Sequence, residues 1–499
     1  MRALPKLSIA VLGVVAVTVT AGALAQSNNN VSDSKHNLSI SGPGPVLATS
    51  ESQVCVFCHT PHAATLAPGA PLWNRELSTQ TYTTYTSASL DAETIAGQLD
   101  QPAGSSKLCL SCHDGSLAIG TVNFSGGEQD VTIDMVGVAP GGEMPSGAGL
   151  DTGFTRNLGT DLRNDHPISL TYDTTLANAD GELRDPALTA DIEARVPGTR
   201  PLFPLESTGP AGEQQVQCVS CHDPHIPDPQ SGAPQKFLRV NRFQEAAPGA
   251  SFDSNTDIMC LGCHDKEGWE NSAHALPTVA DETYEATAAE EREFATDTAV
   301  WEAACLNCHD THTVHGSRRL LREGTDSAAT PKSGGNPAIE ETCYQCHGNT
   351  PVVDNAAGEV RNIEREFLLG VRMPITNADQ QTGTEAHDIV DADFTEPRAA
   401  LGRTDSLNRH AECTDCHNPH RALRNSLFNG TGDASLSAHE HSAGHTNLAS
   451  GALSGTSGVE PLYGSTEFLS LPTTYEVKSG VGTSTDVNAT HVTREYQVC

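Results

Sequence analysis

The pentapeptide Cys-x-x-Cys-His occurs seven times in this chain and uses fourteen of its fifteen cysteines. The copies are Cys55, Cys58 and His59; Cys109, Cys112 and His113; Cys218, Cys221 and His222; Cys260, Cys263 and His264; Cys305, Cys308 and His309; Cys343, Cys346 and His347; and Cys413, Cys416 and His417. Two thiols at this spacing with an adjacent imidazole are the attachment motif for c-type haem. The thiols form thioethers to the vinyl groups and the imidazole faces the iron as proximal ligand. A haem at every copy constrains the fold more than any hydrophobic periodicity in the chain.

Composition supports a core built this way. Only 37% of the chain is hydrophobic and 5% aromatic, a thin supply for conventional cores. Gly, at 44, and Pro, at 29, are plentiful. Large apolar groups fixed to the backbone stabilise thin cores as disulfides or metals do in small scaffolds. The expected fold is a multihaem cytochrome c: mostly coil with short α-helices and minor β-strands wrapped around a chain of covalent haems. The formal charge of −34 argues against nucleic acid as a partner, since phosphates would be repelled, and suits docking to basic patches on redox proteins.

The motifs fall into two kinds that alternate strictly. Four carry a second histidine three residues on, giving His59/His62, His222/His225, His309/His312 and His417/His420. The three between them do not, so the repeat is a pair of motifs. The first member of each pair is followed by an apolar-Arg element: Leu72-Trp-Asn-Arg75, Phe237-Leu-Arg239, Leu320-Leu-Arg322 and Ala422-Leu-Arg424. Its apolar residues are suited to cover a haem face, and its arginine to reach a propionate. The last residues, Glu495 to Cys499, echo Glu51 to Cys55, which predicts an eighth motif opening at Cys499. The pairs divide the chain into a signal peptide at 1–25, a first pair with a long insertion at 26–205, a second at 206–285, a third at 286–385 and a fourth at 386–499. The leader reading rests on basic Arg2 and Lys6, an apolar Ile9–Val19 run and the small residues Ala23 to Ala25, and it implies export to the periplasm or the cell surface.

With segments such as Cys218-Val-Ser-Cys-His222-Asp-Pro-His225 and Cys413-Thr-Asp-Cys-His417-Asn-Pro-His420, the chain resembles the doubled-CxxCH multihaem cytochromes, extracytoplasmic electron carriers of metal-respiring and related bacteria. The resemblance implies electron transfer in periplasmic or extracellular respiration. It implies other cytochromes, redox proteins or external metal or mineral acceptors as partners. Some relatives assemble into haem filaments.

Each iron needs a sixth ligand. Twenty-one histidines leave fourteen beyond the proximal set, whereas methionine is scarce and Met259 abuts its own motif. Bis-histidine ligation is therefore expected. The second histidine of a Cys-x-x-Cys-His-x-x-His segment is too close to cross its own haem. His62, His225, His312 and His420 are accordingly expected to serve the second haem of their own pair. The first haem of each pair then takes an upstream histidine: His36, His166, His274, and either His410 or His387. His315, His439, His441, His445 and His491 read as surface or redundant.

Zinc knuckles and disulfides are rival readings of Cys-x-x-Cys, but neither requires a histidine after every second cysteine. A multihaem reductase of nitrite, hydroxylamine or sulfur compounds is the alternative function. It requires one haem with an open sixth position. In related enzymes lysine often replaces the proximal histidine at the catalytic haem, and all seven motifs here end in histidine. The leading expectation is therefore an electron carrier, not an enzyme, with seven haem c groups in this sequence and an eighth if the chain continues. Coarser local expectations are strand character at 130–138 and 168–172, a short helix at 299–305 capped by Asp297, a helix at 360–371, and a loop or linker at 425–465.

Overall fold

The computed structural model describes residues 31–66, 72–87, 90–146, 157–195, 201–226, 235–312, 314, 318–322, 340–356, 358, 360–368, 412–424, 448–465, 470–480, 482, 486 and 488–498. The leader at 1–25, His387, His410, Cys499, His315, the His439–His445 cluster and the 425–447 part of the expected linker lie outside them.

Among the described residues regular structure is sparse. The helices are α1 (Asp91–Ala96), α2 (Gly104–His113), α3 (Thr174–Asp180), α4 (Cys218–Cys221), α5 (Ala286–Glu291), α6 (Val300–Ala303), α7 (Glu340–His347), α8 (Ile363–Leu368) and α9 (Cys413–Cys416). The strands are β1 (Leu47–Ala48), β2 (Thr121–Ser125), β3 (Glu128–Thr132), β4 (Met135–Val136), β5 (Ile192–Ala194), β6 (Phe203–Ser207), β7 (Gln214–Gln215), β8 (Gly458–Leu462) and β9 (Thr474–Lys478). They form four small sheets: β1 with β4, β2 with β3, β8 with β9, and β5–β6–β7, in which β5 and β6 run parallel. The β2–β3 hairpin turns on Gly126 and Gly127, both at positive φ (60° and 95°), which is the two-residue turn that glycine pairs favour.

Several local expectations shift. Strand character at 130–138 resolves into the end of β3 and the separate β4. Residues 168–172 form no strand, although Ser169 and Tyr172 donate to the carbonyls of Val216 and Gln214 at 2.8 and 3.0 Å. Helix α6 begins at Val300, and its first turn is closed by Glu302, whose carboxylate accepts the Ala299 N–H at 2.7 Å. Asp297 does not cap it and sits at φ 71°. Helix α8 starts after Asn362, whose side chain accepts the Arg365 N–H at 2.9 Å. Within the expected linker the described part folds as β8 against β9, a pairing that Gly- and Ser-rich composition concealed.

The apolar core is divided. One cluster joins Tyr85, Leu170, Tyr172, Leu176, Phe203 and Leu205. Others centre on Tyr284 and Phe294, on Phe57 and Val122, and on Ile258 and Trp269. Motif cysteines pack against all four: Cys263, Cys346, Cys58, and Cys260 with Cys305, respectively. The cores therefore end where the motifs begin. Segments far apart in sequence interlock, as His166 donates its N–H to Thr311 at 2.8 Å and Ala273 to Ala422 at 2.7 Å.

Candidate haem-binding sites

Five of the motifs are single helical turns, and those at Cys109 and Cys343 are the last turns of α2 and α7. The histidine N–H returns to the carbonyl of the first cysteine at 2.8 Å for His59, 3.0 Å for His222, 2.9 Å for His264, 3.0 Å for His309 and 2.8 Å for His417. Such a turn sets residues three and four apart on one face, so both thiols and the imidazole share a side. The apolar-Arg element then runs back antiparallel beside the motif. Thr60, Asp223 and Asp310 donate to Leu72, Phe237 and Leu320, and Asn74, Arg239 and Arg322 donate to Cys58, Cys221 and Cys308, all at 2.8–3.0 Å. Leu72, Phe237 and Leu320 occupy left-handed φ of 59°, 59° and 53°. The recurrence of this unfavourable conformation marks a constrained site.

The Nδ1 atoms are engaged in the same way from unit to unit. His222 meets the Lys236 carbonyl at 2.8 Å, His309 that of Arg319 at 2.7 Å, His347 that of Arg361 at 3.1 Å and His417 that of Ala452 at 2.9 Å. A carbonyl partner makes Nδ1 the protonated nitrogen and leaves the Nε2 lone pair for a metal.

Six pairs of imidazoles face one another: His59 with His225, His36 with His113, His222 with His312, His166 with His264, His309 with His420, and His274 with His347. Their ring centroids are 6.2–6.4 Å apart in every case. A transition-metal ion binds an imidazole nitrogen at ~2.0 Å, and that nitrogen lies ~1.1 Å from its ring centre, so two imidazoles across one ion hold their centroids ~6.2 Å apart. The spacing persists while the interplanar angle runs from 13° to 82°. Among the described residues no group of three or more His, Cys, Asp or Glu side chains is arranged to hold a bare metal ion. Two imidazoles suffice where a porphyrin supplies the four equatorial nitrogens. The indole N–H groups of Trp73 and Trp269, beside His59 and His420, are buried without a partner and suit an anionic propionate. On these observations the residues present fit haem.

The register of the pairs differs from the expected one. The short-spaced histidines do not face the second motif of their own unit. His225, His312 and His420 face the first motif of the preceding unit, and the upstream histidines His36, His166 and His274 face the second motif of the pair whose first motif they precede. The physical reason is the anchoring of the segment. The dipeptide before each short-spaced histidine also holds the preceding unit's upstream histidine, since His166 donates its N–H to Thr311 and His274 places Nδ1 3.0 Å from the Pro419 carbonyl. His62 is exposed, and its ring meets Phe124 at 5.7 Å. Neither His62 nor His417 faces another imidazole among the described residues.

The motifs also adjoin in sequence order. The thiols of Cys109 and Cys218 are in hydrogen-bond contact, as are those of Cys260 with Cys305 and Cys343 with Cys413. None of the fourteen described cysteines is joined in a disulfide. Burial, with neighbouring imidazoles adding, pulls His36 and His264 down to about 3 and His222 to about 4. Burial also takes His347 to about 4 and His420 to about 3. These groups stay neutral, the form that ligates metal. At His312 burial works downward, but the hydrogen bond and charge of Asp165, 3.1 Å away, outweigh it and raise the group.

The arginines of the apolar-Arg elements are held by the protein itself. Arg75, 2% exposed, donates to the carbonyls of Ser111, Ala118, Ile119 and Thr121. Arg239 and Arg322 each donate through Nε to the residue after the first motif cysteine, Val219 and Leu306, both at 2.7 Å. They also reach the aspartate after the motif histidine, Asp223 at 3.7 Å and Asp310 at 2.8 Å. Arg184 repeats the clamp on Leu261 at 2.8 Å and Asp265 at 3.1 Å. Sequence reasoning missed these aspartates, although His-Asp follows three of the motifs so clamped. Removing a buried pair's cation strands its carboxylate. Arg322→Ala is expected to cost about 3 kcal/mol of stability, measured by denaturant unfolding of the haem-loaded protein.

No family model matches the chain, and no curated protein matches it. Among the described residues no helix is long and apolar enough to cross a membrane.

Proposed function

We propose that this chain is a multihaem electron carrier that holds its haems in a row between two axial histidines each. Such haems supply reversible one-electron exchange when bound. The chain's residues set spacing, ligation and access. The observation that carries the reading is the set of six imidazole pairs at 6.2–6.4 Å. The thiol contacts between successive motifs support passage in sequence order. Other redox proteins and external metal or mineral acceptors fit as partners, with export to the periplasm or cell surface.

The register favours a second element, end-to-end assembly. Each unit completes a site of the unit before it, and His62, which faces no other imidazole among the described residues, would be placed to complete a haem of a second copy. The test is the reduced spectrum of the haem-loaded protein with and without carbon monoxide, in the parent and in His62→Ala. The parent is expected to bind none, and the variant one equivalent per chain together with loss of assemblies. One equivalent in the parent that His62→Ala leaves unchanged would favour a reductase with an open site at His417. Several equivalents would overturn the bis-histidine reading.

A further inference from the structure

The six facing pairs are of two kinds, and the kinds alternate. At the first motif of each unit the imidazole planes are close to parallel: 18° for His59/His225, 32° for His222/His312 and 13° for His309/His420. At the second motif they are close to perpendicular: 82° for His36/His113, 77° for His166/His264 and 72° for His274/His347. The hydrogen bonds behind the rings differ too. The distal imidazoles of two parallel pairs face a carboxylate, His225 on Asp223 and His312 on Asp165, each at 3.1 Å. Those of two perpendicular pairs face neutral carbonyls, His166 on Pro167 and His274 on Pro419, each at 3.0 Å.

Resting on the haem reading above, we infer that the chain carries two electronic classes of haem in strict alternation, with the first-motif class at lower potential. Each axial imidazole raises the iron dπ orbital that lies across its plane. Parallel rings raise the same orbital, split the pair and stabilise the ferric hole. Perpendicular rings raise one orbital each, leave the pair nearly degenerate and forgo that stabilisation. A carboxylate on Nδ1 makes the imidazole a stronger donor, which also favours the ferric state. At the sites of His59 and His222 the two effects have the same sign. Hydrogen bonding to the ligands and their geometry are the protein's means of tuning such a centre.

The test is electron paramagnetic resonance of the fully oxidised, haem-loaded chain during a redox titration. Three haems are expected to give the rhombic signal of split orbitals and three the single, highly anisotropic feature of near-degenerate ones, with the haem at His417 adding to one class. The anisotropic class should be reduced first. Replacing Cys55 and Cys58 by alanine should remove one haem's share, about a quarter to a third, of the rhombic intensity and leave the other class unchanged. Replacing Cys109 and Cys112 should do the converse. Should one of these variants fail to mature, the other, with the parent titration, still reads the assignment. One signal class throughout, or the rhombic class reduced first, would overturn the alternation while leaving bis-histidine haem intact. Absence of any low-spin ferric signal would instead overturn the haem reading itself.

Discussion

His225→Ala is expected to open the haem at Cys55–His59, in the unit before its own, and to leave the haem at Cys260–His264 six-coordinate. The variant should bind one equivalent of carbon monoxide per chain after reduction, above the parent. The extra equivalent should vanish when Cys55 and Cys58 are also replaced by alanine, and persist when Cys260 and Cys263 are replaced instead. Added imidazole should restore the low-spin spectrum by filling the vacated position. The expectation follows from the ring geometry: His225 stands 6.2 Å from His59, whereas His264 faces His166 at 6.3 Å. Persistence of the signal without the Cys55 haem would sink the one-unit offset.

Blocking haem attachment is expected to unfold the chain rather than leave an apo scaffold. Among the described residues the two largest buried apolar clusters contain nine residues each and the next two five each, and motif cysteines pack against all four. Between clusters the backbone is held by turns, helices of ten residues or fewer and strands of two to five residues, which cannot offset ordering entropies of about 1–2 kcal/mol per residue. Where a site does not pre-exist in the unfolded chain, the free energy of occupying it becomes folding free energy. Chain made without haem maturation should lose most far-UV ellipticity and be cut by protease throughout the described units, whereas the mature protein should resist at low protease. A cooperative thermal transition in the haem-free chain would overturn this.

What the sequence made legible tracks how local the physics is. Seven motifs and two alternating kinds are readable because the thioether and imidazole chemistry fixes spacing within five residues. The histidines His36, His166, His225, His274, His312 and His420 are readable as a set because each haem needs two nitrogens. Their partners were not. A within-unit and a next-unit assignment satisfy the same count, and only the packing of Thr311 and Pro419 against the preceding unit decides between them. Arg75 and Arg322 were visible as a recurring residue, but their targets are backbone carbonyls and a neighbouring carboxylate, which composition does not reveal. The β8–β9 pairing was hidden because its register comes from tertiary contact and not from an alternating apolar pattern.

The one-unit offset makes the molecule extensible. At the three joints described, His225, His312 and His420 each face the unit before their own, as overlapping shingles each cover the joint below. Duplicating or deleting an internal unit therefore conserves the balance between these histidines and the motifs they face. Such a design lets a gene lengthen the path by unequal crossing-over without inventing a single new ligand. It also ties the fate of every unit to the next, so that damage at one joint loosens its upstream neighbour and spares the rest, the nearest-neighbour behaviour of a one-dimensional array.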